Sequence, residues 1–227
     1  MVPAYVLHRR AWSESSLIVE LFTEAHGRFG AVARGARRTS KRSRPPLQPL
    51  QPILVEWGGR GELQTLKNWE LTAAVPPLVG DRLISAMYLN ELLYRLTQRN
   101  DAHPALWEPY ESTLAALADR TCTVDITLRR FEMSLLAAVG YAVDLHHDAG
   151  SGQAIEPNSY YLYDPERGAT RTAMGSGYAG ASLLALAHDN LVTEQQRADA
   201  RRLMRQVIDF RLDGRPLKSR LMFRRSP

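Results

Sequence analysis

The 227-residue sequence predicts an α+β fold, a small amino-terminal β-barrel followed by a mainly α-helical region. Three observations predict it. Ahead of Pro76-Pro77, branched and aromatic residues recur in short runs separated by glycine and proline, the pattern of strands and turns. Beyond that break the apolar period lengthens from two to about three and a half, the pattern of helices that bury one face. The positive charge is concentrated in one interruption between strands, Arg34 to Arg44, instead of being spread along the chain.

Taken in order, the strand candidates begin with the apolar run Tyr5 to His8. SSLIVELFT, rich in branched residues, and RFGAVA follow, separated by the turn-like AHG at Ala25 to Gly27. The basic segment comes next and is closed by Pro45 and Pro46, whose fixed φ and missing N–H groups stop regular structure. PILVEW from Pro52 to Trp57 is a fourth strand, GGRGE a glycine-rich hairpin turn and LQTLKNWEL a fifth. Five short strands joined by turns fit a closed barrel of the OB type better than a sandwich of seven or more.

After the proline break, Asp81 is placed to cap a helix carrying Leu83, Met87, Leu92, Leu93 and Leu96. A second helix runs from about Pro104 with Leu106, Trp107, Tyr110, Leu114 and Leu117 on one stripe. A third opens at Asp125, buries Leu128, Phe131, Leu135 and Val139, and ends at Gly140. Glycine content rises from Gly150 to Gly180, where SYYLYDP predicts a short strand pair inside an irregular connection. Thr193 and Gln196 then form a T-x-x-Q capping box ahead of a helix to about Phe210, and Pro216 prevents its continuation. The expected domains are therefore 1–79, a nucleic-acid-binding barrel, and 80–227, a helical partner-binding domain with an irregular insertion at about 145–180.

Composition narrows the function classes. The formal charge is +5, yet without the six cations of the basic segment the remaining 23 basic side chains face 24 acidic ones. Clustered charge of one sign builds the surface potential that attracts a polyanion, whereas an ordinary solvated face mixes signs. Cys122 is the chain's one cysteine, so neither an internal disulfide nor a cysteine zinc site can be built from it. No apolar run is long enough for a membrane helix and MVPAYVLHRR lacks the apolar centre of a secretory signal, so a cytoplasmic location is the expectation.

Other motifs carry less. GSGYAG at Gly175 to Gly180 matches a dinucleotide fingerprint by letter, but the preceding ERGATRTAM is too polar for the strand that fingerprint needs, and a flexible loop is expected. His146, His147 and Asp148 are adjacent, yet no ligand-spaced partner accompanies them, which favours a surface loop over a metal site. There is neither a G-x-S-x-G elbow nor a P-loop, so no catalytic residue is named. Trp12, Phe22, Phe29, Trp57 and Trp69 lie in the barrel segments, and an OB barrel binds single strands through a cationic groove with aromatic stacking. Most of these rings are expected in the core. A second basic region follows: Arg197, Arg201 and Arg205 recur on one helix face, and Arg211, Arg215, Lys218, Arg220, Arg224 and Arg225 come after. Like charges at that spacing repel, so either carboxylates from elsewhere or a polyanion must cover them.

Laid side by side, YVLHRRAWSESSLIVELFTEAHGRFGAVARGARR, LQPLQPILVEWGGRGELQTLKNWE, YLNELLYRL, LRRFEMSLLAAVGY and PLKSRLMF resemble the RecO family of bacterial DNA repair and recombination proteins, in the family's order and over almost the whole chain. The resemblance implies an OB-fold and a helical domain, binding to single- and double-stranded DNA, strand annealing, and cooperation with RecR in loading RecA onto DNA coated by single-strand-binding protein. It places the DNA-contacting segment on Arg34, Arg37, Arg38, Lys41, Arg42 and Arg44, with Lys218 and Arg220 as further DNA-binding candidates. It places docking of the single-strand-binding protein's acidic tail on LRRFE, with Arg129 or Arg130 receiving the tail's carboxylates and Phe131 or leucines of YLNELLYRL lining an apolar pocket. Many members carry a four-cysteine zinc module after the GYAVDL position. Here Asp148 and Ser151 stand at its first pair, so no zinc or other cofactor is expected and the region should hold together by packing alone.

Two further readings compete with a non-enzymatic DNA mediator. An RNA-binding OB protein would present the same phosphate contacts, since these do not distinguish the sugars. A metal-dependent nuclease would use His146, His147 and Asp148.

Overall fold

The computed structural model describes residues 1–37, 45–72, 77–173 and 175–223, which form two compact units: residues 1–120 with 217–227, and residues 121–216. In the first, β1 (Val2–Ala11), β2 (Leu17–Thr23), β3 (Gly27–Ala33), β4 (Pro52–Gly58) and β5 (Leu63–Leu71) close into a barrel in the order β1-β2-β3-β5-β4. β1, β2 and β3 form an antiparallel meander. The β4–β5 hairpin closes the ring, β5 running parallel to β3 and β4 antiparallel to β1. This is the five-stranded OB-fold that the strand spacing predicts.

Alternation explains the barrel's interior. Leu17, Val19 and Leu21 of β2, Phe29, Ala31 and Ala33 of β3, and Ile53 and Val55 of β4 point inward around Trp69. β2 is buried along its entire length because its outer face is covered as well. Phe22 and Tyr5 pack there against Trp107 and Tyr110, with ring centroids 5.0 to 5.8 Å apart. The covering elements are α1 (Gly80–Leu96) and α2 (Trp107–Ala118), the latter entered by a 3₁₀ turn at Pro104–Leu106. These helices, which periodicity assigns to the helical region, share a unit with the barrel.

A buried polar set fixes that contact. Asn90 on α1 donates to the Leu7 carbonyl at 2.9 Å, beside the β1 bulge between Val6 and His8, and accepts from the Tyr110 hydroxyl at 2.6 Å. Each buried polar group thereby keeps a partner, which a sliding apolar contact would not demand. On the far side, Arg28 and Arg99 both engage the buried Glu20, and Arg28 also donates to the Thr97 carbonyl at 2.8 Å.

Asp81 does not cap α1. The capping position is Val79, with no side-chain bond, and Asp81 lies in the first turn, where its charge meets the positive helix end. Leu83, expected on the apolar stripe, is 40% exposed.

The second unit contains α3 (Val124–Ala138), a three-stranded sheet of β6 (Tyr160–Asp164), β7 (Gly168–Thr172) and β8 (Tyr178–Ala179), then α4 (Gly180–Ala187) and α5 (Glu194–Arg211). α5 opens on the predicted capping box, with Thr193 accepting from Gln196 and Gln196 from Thr193. Its stripe of Leu203, Met204, Val207 and Ile208 is fully buried, as are Phe131, Leu135 and Leu136 of α3. α6 (Lys218–Phe223) returns to the first unit and packs on α1.

Candidate nucleic-acid interface

β3 delivers the basic segment. Ala33 is the last inward residue of the strand, and the chain leaves the barrel with Arg34 and Arg37 exposed. Arg37 is tied to the β1–β2 turn, its N–H donating to the Ser15 carbonyl at 3.1 Å and its guanidinium to the Ser13 carbonyl at 2.5 Å. Arg38, Lys41, Arg42 and Arg44 lie outside the described residues. The far end is anchored too: the Pro45 carbonyl accepts from the Trp69 indole at 2.9 Å, Leu47 is fully buried in the barrel, and its carbonyl accepts from Arg9 at 2.8 Å. Both ends of the segment therefore rest on the core.

Of the five barrel aromatics, Phe22, Phe29 and Trp69 are core, and Trp57 is half-buried against Phe29 and His26. Trp12 is 57% exposed. It sits at the β1–β2 turn, with the Arg10 guanidinium 5.7 Å from its ring centroid. Arg10 and Arg37 thus flank one turn, and Arg9 and Arg34 are exposed in and just after the adjoining strands. Sequence reasoning missed Arg9 and Arg10 because β1 runs beyond the apolar Tyr5 to His8 to Ala11. The signal available was HRRAW itself, a polar strand end leading into a turn.

The cations of α6 are presented differently. Glu91 accepts from the Lys218 and Ser219 backbone N–H groups at 2.9 and 2.8 Å and from the Ser219 hydroxyl at 2.7 Å. Burial raises the Glu91 pKa, but these bonds, with Arg95 nearby, outweigh it and leave the carboxyl below its ordinary range. Lys218 is exposed, and the Arg220 guanidinium lies 5.7 Å from the Tyr88 ring centroid.

On α5 the arginine ladder is covered by carboxylates of its own unit. Arg197 pairs with Glu194, Arg201 with Asp125, Arg202 with Asp199 and Arg205 with Asp209. The spacing that exposes a stripe of like charge is met by intramolecular partners.

The three α3 residues divide by burial. Arg129 is 6% exposed and grips Glu132, itself 1% exposed, through Nε at 2.7 Å and Nη2 at 2.5 Å. Phe131 is in the core. Arg130 is exposed and pairs with the equally accessible Asp189 at 2.7 Å. Leu89, Leu92 and Leu93 of YLNELLYRL are fully buried.

LHHDAGSG does not bring its polar side chains together. His147 approaches Asp144 at 3.2 Å and His146 faces His188 at 5.2 Å, while Asp148 turns inward, away from both. Among the described residues no three His, Cys, Asp or Glu side chains group as a metal requires. Zinc does not fit here either, because the Asp148 carboxylate is filled by backbone donors. Its Oδ1 accepts from Gly150 and Ser151 at 2.7 and 2.9 Å, and its Oδ2 from Arg171 at 2.9 Å. Packing alone therefore does not hold this region; one carboxylate bridges the loop to β7. The bonds from Ser151, Arg171 and Gly150 depress the Asp148 pKa.

A depressed carboxyl stabilises the fold fully above its unfolded pKa of about 4, and that contribution is lost as pH falls through the folded value. Asp148→Asn should therefore lower the thermal midpoint at neutral pH and flatten its decline as pH falls below about 4. A variant declining in parallel with the native chain would show that Asp148 is not the group that titrates.

GSGYAG is also ordered, contrary to a flexible loop. A Cβ on Gly177 would stand 2.2 Å from the Tyr161 carbonyl oxygen and one on Gly180 2.0 Å from that of Glu156. These glycines admit close backbone approach within the sheet and at the start of α4, a packing role that the fingerprint's letters conceal.

The family model described as Recombination protein O N terminal matches residues 1–75, and Recombination protein O C terminal matches residues 78–221. The chain is 46% identical to the DNA repair protein RecO of Alkalilimnicola ehrlichii, covering 98% of this chain and 90% of that protein. It is 44% identical to the same-named protein of Halorhodospira halophila, covering 98% and 95%, and 43% identical to that of Methylococcus capsulatus, covering 98% and 92%. No helix among the described residues is long and apolar enough to cross a membrane. With both halves matched in order and the OB barrel in place, the chain belongs to the RecO family of DNA repair proteins.

Proposed function

We propose that this chain is a non-enzymatic, cytoplasmic recombination mediator that binds single- and double-stranded DNA, anneals complementary strands, and works with RecR to load RecA onto DNA coated by single-strand-binding protein. The observation that carries the reading is the anchored basic segment. Its first cations, Arg34 and Arg37, are exposed at the exit of β3 beside Arg10 and Trp12. Cations on a fixed base neutralise phosphates of two strands and lower the repulsion that keeps complementary bases apart. Arg38, Lys41, Arg42 and Arg44 extend the grip, and Lys218 and Arg220 on α6 offer a further contact. Phosphate contacts read no sequence, as suits a protein that must act at any gap.

Among the three α3 residues assigned to the partner's acidic tail, Arg130 is the accessible one. Its exposed pair with Asp189 is of the weak kind that an incoming terminal carboxylate can displace. Arg129 and Phe131 shape the surface from beneath.

The test is salt dependence. Six cations each meeting one phosphate of a single strand give log K a slope of about −4 against log salt. Arg34→Glu with Arg37→Glu should make the slope shallower by about 1.4 and weaken binding roughly tenfold or more at low salt. An unchanged slope would remove this segment from the interface.

A further inference from the structure

Trp12 stands outside the barrel core. A large ring left 57% exposed forgoes the burial that makes tryptophan stabilising, and Phe29 and Trp69 in the same barrel show where aromatics settle when packing decides. The turn that bears it is nevertheless held firmly. The Trp12 N–H donates to the Ser16 carbonyl at 3.1 Å, and Arg37 closes over the turn through the Ser13 and Ser15 carbonyls. The backbone of the turn is thus fixed and the ring lies out of the core, with the Arg10 guanidinium 5.7 Å from its centroid and Arg37 bonded to the carbonyl of the next residue.

We propose that Trp12 is a nucleobase-stacking platform that makes this face selective for single strands. The proposal rests on the reading that the basic segment grips the DNA backbone. A phosphate chain held by Arg34 and Arg37 brings its bases within reach of the β1–β2 turn. A base free of its complement can leave its neighbours and lie on the indole, since every base has a π-face and stacking tolerates any sequence. In a duplex the same faces are occupied by neighbouring pairs, so the ring gains nothing there. Because Arg37 carries hydrogen bonds to the turn as well as charge for the phosphates, backbone grip and base contact are mechanically joined. The turn that carries the ring is already tied down, so stacking does not first have to immobilise a loop.

The experiment uses the full chain and three ligands of one length: a single-stranded DNA oligonucleotide, an abasic strand with the same phosphates, and a duplex. Trp12→Ala should weaken binding of the single strand roughly tenfold, leave the abasic strand and the duplex unchanged, and preserve the salt slope. Trp12→Phe should recover most of the loss, since a smaller ring still stacks. Equal losses on the abasic strand or the duplex would assign Trp12 to the fold instead, and no loss on the single strand would overturn the platform outright. If the native chain binds none of the three ligands, the DNA-binding reading itself fails. Trp12 is exposed, so Trp12→Ala should retain the native thermal midpoint, which confirms that affinity and not folding is being measured.

Discussion

Arg129→Ala is expected to destabilise the unit of residues 121–216 by about 3–5 kcal/mol, although the deleted residue is a charged arginine on a helix. The reason is its partner. Glu132 is 1% exposed, and Arg129 donates to both of its carboxylate oxygens. Without the guanidinium, that buried carboxylate loses both of these bonds and must either stay charged with less compensation or draw the unit open toward water. Each alternative costs more than the surface pairs elsewhere on the chain. Arg130→Ala supplies the comparison: one position along, its pair with Asp189 is exposed on both sides, and its loss should cost less than about 1 kcal/mol. Replacing both members of the buried pair, as Arg129→Met with Glu132→Leu, should recover much of the stability, since no orphaned charge remains. Chemical denaturation of the three variants decides the matter, and an Arg129→Ala cost below about 1 kcal/mol would show that the bonds from Arg129 are not what holds Glu132. The result also governs any peptide-binding assay, because lost tail binding in Arg129→Ala would report an unfolded unit, whereas Arg130→Ala tests the contact on a folded one.

What the sequence discloses and conceals follows from the range of the interactions involved. The barrel strands were readable because their signal is local: alternation in LIVELFT and GRFGAVA, with glycine and proline at the turns, determines which side chains point inward. The capping box of α5 is local for the same reason. The arginine ladder was not readable, since Asp125 reaches Arg201 from another helix and nothing near either residue announces the other. Arg129 was equally opaque. Its neighbour Arg130 has the same letter, and only tertiary burial makes one structural and the other accessible. In the insertion, the absence of cysteines was legible, but the use of Asp148 as a backbone clamp was not, because the Arg171 N–H that completes it arrives from β7. For the candidate interface, the clustered cations were visible as composition. The part played by Trp12 depends on knowing that, of five barrel aromatics, it alone lies at the tip of the β1–β2 turn and well exposed.

The second large effect is expected at Gly27, the first residue of β3. Its φ of +62° is one that residues with a Cβ rarely adopt, and a Cβ there would stand 1.8 Å from the Asp101 carbonyl oxygen. That oxygen belongs to the backbone, so no rotamer change relieves the clash. The segment after α1 is already committed to this turn: the Asn100 N–H donates to the Arg28 carbonyl at 2.7 Å, and Arg28 in turn reaches Thr97. Gly27→Ala must therefore push residues 97–101 away from the barrel, pulling Arg99 from Glu20 as it does so. The left-handed backbone costs about 1 kcal/mol and the displacement about 1–3 kcal/mol more, a total of about 3 kcal/mol. Gly35 separates the two contributions, because its φ is +72° with open space around the Cβ position. Gly35→Ala should cost only the backbone part, about 1 kcal/mol. Urea unfolding of both variants measures the difference directly. If the two cost the same, the close approach of Asp101 contributes nothing; if Gly27→Ala alone falls far below native stability, the junction between the β2–β3 turn and the end of α1 is what the barrel's unit depends on most.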